Sequence, residues 1–220
     1  MKWNIDRVLV LSPHTDDMEL GAGGTVRMIV EAGVEVKSIV FSDCKRSDPK
    51  GVLRKECKAA AAHLGIKDIT ILDKKVGTFP AVREEILQLL YDEREKSKDE
   101  KKEFDLIITS WVGDIHQDHK VVAEETIRAF MKNNTAILQY EIPGNCPSFT
   151  PNIFVPLSKD QVAQKVDLLN KYESQVERRP YFKENAIKSQ VGYHGLRIGQ
   201  PYAEGFVQYT LSVDSFNRHK

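Results

Sequence analysis

Apolar and polar positions along this chain fall into short blocks that switch between a strand period and a helix period. Residues 7–12 hold the apolar run Val8-Leu9-Val10-Leu11 and predict a strand. Residues 21–32 place Val26, Ile29 and Val30 on one helical face, and Gly33 follows as a terminator. Residues 36–42 predict a second strand, 51–64 an alanine-rich helix closed by Gly65, and 69–72 a short strand. Pro80 stands where the first turn of a helix tolerates proline, and Val82, Ile86, Leu89 and Leu90 form the inner stripe of that long helix. It runs out into residues 93–103, a mixed charge run read as a solvated helix end or a mobile loop, not a binding patch. Residues 104–110 predict a strand, 119–132 a helix and 136–142 a strand.

This rhythm predicts an α/β fold with a mainly parallel sheet and helices on both faces. Right-handed crossovers bring the ends of successive strands to one edge, and open sheets of this kind bind ligands outside those carboxyl ends. After Ile142 the rhythm breaks, with Pro143, Gly144, Pro147, Pro151 and Pro156 in quick succession. Residues 154–157 predict a strand, 160 to about 173 a helix capped by Ser158, 181–190 a weaker helix, and 206–211 a last strand. Residues 143–220 are read as an appended C-terminal layer shaping the site, within a single domain spanning 1–220.

The 220 residues suffice for one sizeable core. Lys+Arg and Asp+Glu both number 32, so the formal net charge is zero and nothing favours nucleic acid or an anionic membrane as partner. No apolar stretch approaches the roughly 20 residues of a membrane span. The segment Met1-Lys2-Trp3-Asn4-Ile5-Asp6-Arg7 lacks the long apolar core of a signal peptide. Cys44, Cys57 and Cys146 are scattered and odd in number, which predicts free thiols and a cytoplasmic address. Cys44 reads as an ordinary buried or surface thiol.

Two polar clusters change the picture. Directly after the first strand comes Pro13-His14-Thr15-Asp16-Asp17-Met18-Glu19-Leu20-Gly21-Ala22-Gly23-Gly24, and shortly after Leu106-Ile107-Ile108 comes His116-Gln117-Asp118-His119. So many ionisable groups need a partner if they are buried, and a divalent metal is the most economical one. His14 and Asp17 are good zinc ligands, and one more nitrogen, from His116 or His119, leaves an open position of the catalytic kind. Of the adjacent pair Asp16 and Asp17, one can bind the ion while the other takes a proton from water that the ion makes acidic. Asp118 can hold His116 through an Nδ1–H bond. Glu19 suits either a helix N-terminus or a supporting role. The glycines predict a helix packed closely on the sheet rather than a phosphate loop, since no Lys-Ser/Thr follows.

The string PHTDDMELGAGG joined to HQDH resembles the LmbE-like, or PIG-L-like, family of metal-dependent N-deacetylases. Arg54 and Glu56 before the alanines, Tyr172-x-Ser174-Gln175, and Tyr202-Ala203-Glu204-Gly205-Phe206 extend the resemblance over most of the chain. The resemblance implies a Rossmann-like fold, a Zn2+ ion (with another divalent metal such as Fe2+ as alternative), and hydrolysis of an acetamide on a GlcNAc-type amino sugar or glycoconjugate. It assigns His14, Asp17 and His119 as metal ligands, Asp16 as general base, His116 as oxyanion stabiliser oriented by Asp118, and Arg54 as a substrate contact. It also implies a homo-oligomer, a trimer or hexamer.

Rival readings are a hydrolase of a non-sugar amide on the same scaffold and a non-catalytic sugar- or metal-binding module. A dinucleotide binder ranks last, because the acidic cluster before the glycines would repel a pyrophosphate. His194 reads as a loop histidine, and His63 and His219 as structural or solvent residues. Trp111, Phe149 and Tyr181 read as packing residues before sugar-stacking ones.

Overall fold

Strand β1 (Arg7–Ser12) is buried along its whole length because both of its faces are covered. Val8 and Val10 enter one core with Val26 and Ile29 of helix α1 (Asp17–Glu31). Leu9 and Leu11 enter the other with Ile86 and Leu90 of α3 (Arg83–Asp99) and Val122 of α4 (Gln117–Phe130). A strand covered on both sides reads as an unbroken apolar run, which is why its sequence does not alternate. The computed structural model describes residues 5–133 and 135–210. Residues 1–4 of the amino-terminal segment, Leu211 of the last expected strand, and His219 lie outside the described residues.

The remaining strands are β2 (Glu35–Val40), β3 (Asp68–Ile71), β4 (Leu106–Ser110), β5 (Ala136–Tyr140), β6 (Ile153–Pro156) and β7 (Ala203–Thr210). Helix α2 (Val52–Leu64) links β2 to β3, and α5 (Lys159–Leu169), α6 (Glu173–Arg178) and α7 (Glu184–Leu196) lie between β6 and β7. The described strands form one sheet in the order β3-β2-β1-β4-β5-β7-β6. The first five are parallel, and β7 and β6 join antiparallel. This is the doubly wound α/β arrangement expected from the sequence, with the strand order reversing between β1 and β4. The C-terminal region both extends the sheet and covers α1 with α5.

Several boundaries moved for physical reasons. Helix α1 opens at Asp17 rather than at Gly21, so the acidic motif itself forms the first turn. Helix α4 opens at Gln117 because the His116 side chain caps it. The charge run is helical as far as Asp99, where Glu93 pairs with Lys37 and the Arg94 guanidinium donates to the Ala129 carbonyl. The single helix expected from 160 to about 173 ends at Leu169, after the Ser158 capping box has opened it. A short new helix, α6, follows, with Tyr172 buried at the break. The expected helix at 181–190 opens later, at Glu184 after a turn of 3-10 helix, and runs to Leu196. Cys44, Cys57 and Cys146 are free and buried. Among the described residues no helix is long and apolar enough to cross a membrane.

The glycines of α1 serve close approach. Gly21 lies on Tyr140 of the sheet, Gly23 on Leu168 and Gly24 on Leu157. A Cβ at Gly21 would sit 2.3 Å from Tyr140 Cδ2. Gly21→Ala is therefore expected to cost on the order of 1–3 kcal/mol through overpacking. A thermal melt should show this as a drop of about 2–4 °C per kcal/mol at this chain length.

Candidate active site

The loop leaving β1 and the loop leaving β4 lie side by side at the carboxyl ends of two adjacent parallel strands, where the strand order reverses. His14 and His119 therefore meet although far apart in sequence, with Nδ1 of His14 3.1 Å from Nε2 of His119. The other nitrogen of each ring faces a carboxylate. His14 Nε2 is 3.1 Å from Asp118 Oδ2, and His119 Nδ1 is 2.8 Å from Asp114 Oδ2. A carboxylate only accepts, so each imidazole gives its N–H to that partner and turns its lone pair toward the other ring. Asp17 Oδ2 completes the group, 3.5 Å from His14 Nδ1 and 3.4 Å from His119 Nε2.

Two lone pairs and a carboxylate oxygen facing one another at hydrogen-bond distance repel unless a positive charge lies between them. Ligands held about 2.0–2.1 Å from a tetrahedral zinc lie about 3.3–3.4 Å apart, and the observed separations bracket that value. The donor set thus fits a divalent cation. Asp17 and Asp114 outweigh the effect of burial and raise the basicity of His119.

His116 is arranged differently. As N-cap of α4, its Nδ1 accepts the Asp118 amide N–H at 3.2 Å. A neutral imidazole accepting at Nδ1 carries its proton on Nε2. Burial, then His119 and His14, lower its pKa and keep it neutral. Its ring stacks on His119 at 4.5 Å. One nitrogen each from His14, His116 and His119 can be chosen within 4.8 Å of one another, a looser set than the one with Asp17. One expectation is corrected here: the Asp118 carboxylate orients His14, not His116. The cap places His116 against the Asp118 amide, while the carboxylate turns to His14 and to the amides of Gly77 and Phe79.

Asp16 is half-buried beside Asp17. Burial and that neighbour push its pKa up to about 7. Glu19 lies deeper, and burial pushes it up to about 8. The Tyr172 phenol has one proton for two neighbours, the Thr15 carbonyl and Glu19 Oε1. A protonated Glu19 resolves this, donating to the phenol oxygen while the phenol donates to Thr15.

A cleft of about 260 Å³ opens over these groups, with Asp16, His116, Cys44, Gln175, Arg179 and Tyr181 among its walls. Burial raises the Cys44 thiol to about 12, so it is an inert wall residue. Arg54 pairs with Asp43 at 3.5 Å and is not among the lining residues, although its neighbour Leu53 is. Glu56 bonds the Ser174 amide and hydroxyl instead of Arg54. Trp111 and Phe149 pack edge to face on each other, and Tyr181 alone of the three aromatics reaches the cleft. His194 is a buried helical residue paired with Glu141 at 2.6 Å. Sequence reasoning missed Asp114 and Arg179. The need of a ligating histidine for a carboxylate partner could have pointed to Asp114.

Residues 9–130 match the model of a protein family described as PIG-L: GlcNAc-PI de-N-acetylase. The chain belongs to the PIG-L family. It is 26% identical to the diacetylchitobiose deacetylase of Thermococcus kodakarensis, over 92% of this chain and 82% of that protein. Its fold is similar to that of N,N'-diacetylchitobiose deacetylase from Pyrococcus horikoshii (TM-score 0.77, 22% identity, covering 93% and 84% of the two chains). It is also similar to the 4-carboxy-2-hydroxymuconate hydratase GalB from Pseudomonas putida (TM-score 0.73, 18% identity, covering 94% and 98%). The PIG-L match takes in both polar clusters and ends before β5, Tyr172 and Glu204.

Asp118→Ala frees the His14 ring, and is expected to weaken Zn2+ binding about 10–100-fold in a titration of chelator-treated protein. Glu19 generates a pH prediction. Its carboxyl titrates near 4.5 when unfolded and about 8 when folded. Between these values the folded state holds the extra proton, so stability is lost as pH rises through that window. Glu19→Gln stays neutral throughout. With chelator present, the melting temperature of this variant is expected to gain on the wild type between pH 5 and pH 8. A constant difference would mean that Glu19 is buried charged.

Proposed function

We propose that this PIG-L protein is a divalent-metal-dependent N-deacetylase that releases acetate from an N-acetylated amino sugar of GlcNAc type. The observation that carries the proposal is the opposed lone pairs of His14 and His119, set by Asp118 and Asp114, with Asp17 beside them. His14, Asp17 and His119 would hold the ion. His116 stays out of that set, because its Nε2 keeps a proton. A Zn2+ ion bound there supplies electrophilic activation of water and of the acyl oxygen.

The remaining chemistry belongs to side chains. Asp16, with a pKa near 7, takes a proton from the attacking water. The water oxygen adds to the acetyl carbon, and His116 Nε2–H donates to the acyl oxygen as negative charge develops there. Asp16 returns the proton to the sugar nitrogen, the C–N bond breaks, and acetate and a free amine leave. Arg179 in the cleft wall, and Arg54 next in sequence to the lining residue Leu53, are the proposed substrate contacts. The amino-sugar substrate is supported by the activities named for the two diacetylchitobiose deacetylases. A cytoplasmic address and a homo-oligomeric assembly complete the proposal.

A hydratase shares the fold, so reaction class needs a direct test. The test is amine release from N-acetylated sugars, with Zn2+ and with chelator. Release that needs the ion supports the proposal, and silence across GlcNAc and diacetylchitobiose would overturn the amino-sugar reading. Asp16→Ala is expected to lower kcat at least about 100-fold while Zn2+ stays bound. Retained turnover would remove Asp16 from the role of base.

A further inference from the structure

Helix α1 is gripped at its middle by an ion pair that lies outside the cleft. Lys165 of α5 and Glu204 of β7 are each 2% exposed, with Nζ and Oε1 2.5 Å apart. Burying two charges costs desolvation, and apolar residues of like volume often serve stability as well or better. What this pair adds is direction. Glu204 Oε1 accepts the Gly24 amide at 2.9 Å, and Oε2 accepts the Thr25 amide at 2.7 Å and the Thr25 hydroxyl at 2.6 Å. Lys165 Nζ donates to the Leu20 carbonyl at 2.7 Å.

Backbone groups inside a helix ordinarily serve its own ladder. Here the Leu20 carbonyl and the Gly24 and Thr25 amides engage side chains from the C-terminal region. Side chains entering the ladder are a recognised cause of helix bending. The Leu20 residue links this grip to the site, because its own amide donates to the Asp16 carbonyl at 3.1 Å. Asp17 opens the same turn. Gly21 on Tyr140 and Gly24 on Leu157 leave the helix little room to shift sideways.

We propose that Lys165 and Glu204 are positioning residues, and that their ion pair sets the orientation in which the first turn of α1 presents Asp16 and Asp17. The proposal rests on the reading of Asp17 as ligand and Asp16 as base. It gives the Ala-Glu-x-Phe segment around Glu204 a task at a site it does not touch.

The test is the double variant Lys165→Met/Glu204→Leu, which removes both charges and leaves neither one unpaired. Its melting temperature without metal is expected to stay within a few degrees of the wild type. Zn2+ titration into chelator-treated protein should show affinity weakened about tenfold or more, the scale of losing a ligand's support. At saturating Zn2+, kcat should fall by about the same factor with KM unchanged within about twofold. A folded double variant with native Zn2+ affinity and native kcat would overturn the proposal. Should the double variant not fold, Thr25→Val keeps the ion pair and deletes one donor to Glu204. That variant is expected to weaken Zn2+ binding about threefold, with Thr25→Ser restoring it. A Thr25→Val protein with wild-type affinity would equally refute the idea. The Zn2+ titration needs no substrate, so it decides the role of the pair even if no acetylated sugar is cleaved.

Discussion

The hydrogen-bonded adjacency of β1 and β4 is the constraint on which the site depends. Two parallel strands side by side bring their carboxyl ends to the same edge, and the order reversal leaves a crevice there. Each strand is followed at once by a turn into a helix. The polar groups of one motif have no route away from those of the other. The contact of the His14 and His119 rings follows from backbone pairing far more than from attraction between the rings, which by themselves would repel.

What makes the contact chemically useful is the ring of carboxylates behind it. Asp118 and Asp114 accept the imidazole N–H bonds, so the inward nitrogens are acceptors before any ligand arrives. The same loops present Asp16 beside Asp17 in a partly dry environment, which lifts a carboxyl into the range of a base at neutral pH. His116 keeps its outer proton because its inner nitrogen caps a helix. The three histidines of the two short motifs thus differ in which nitrogen is protonated because their hydrogen-bond partners differ.

The C-terminal region does more than cover this arrangement. Tyr172 ties down the Thr15 carbonyl and Glu19, Ser174 is held by Glu56 of α2, and Lys165 with Glu204 grips the middle of α1. Of these, the Tyr172 and Lys165–Glu204 contacts reach the backbone of the first motif and of the helix it opens. The glycines of α1 make the close approach possible, since a side chain at Gly21 or Gly24 would push the helix off the sheet or off Leu157.

The α/β class, the order of most elements and the two halves of the site were legible in the sequence, because periodicity and ligand spacing are local properties. The helix starts were not, because Asp17 and His116 enter regular structure only where burial and capping are settled. By itself the sequence determined that His14, Asp16, Asp17, His116 and His119 would follow the ends of two strands as candidate ligands and acid–base groups. Only the tertiary structure decided that Asp118 serves His14, that Asp114 serves His119, and that Glu204 reaches the middle of α1. The physical reason is that hydrogen-bond partners distant in sequence are chosen by packing, and no spacing along the chain records that choice.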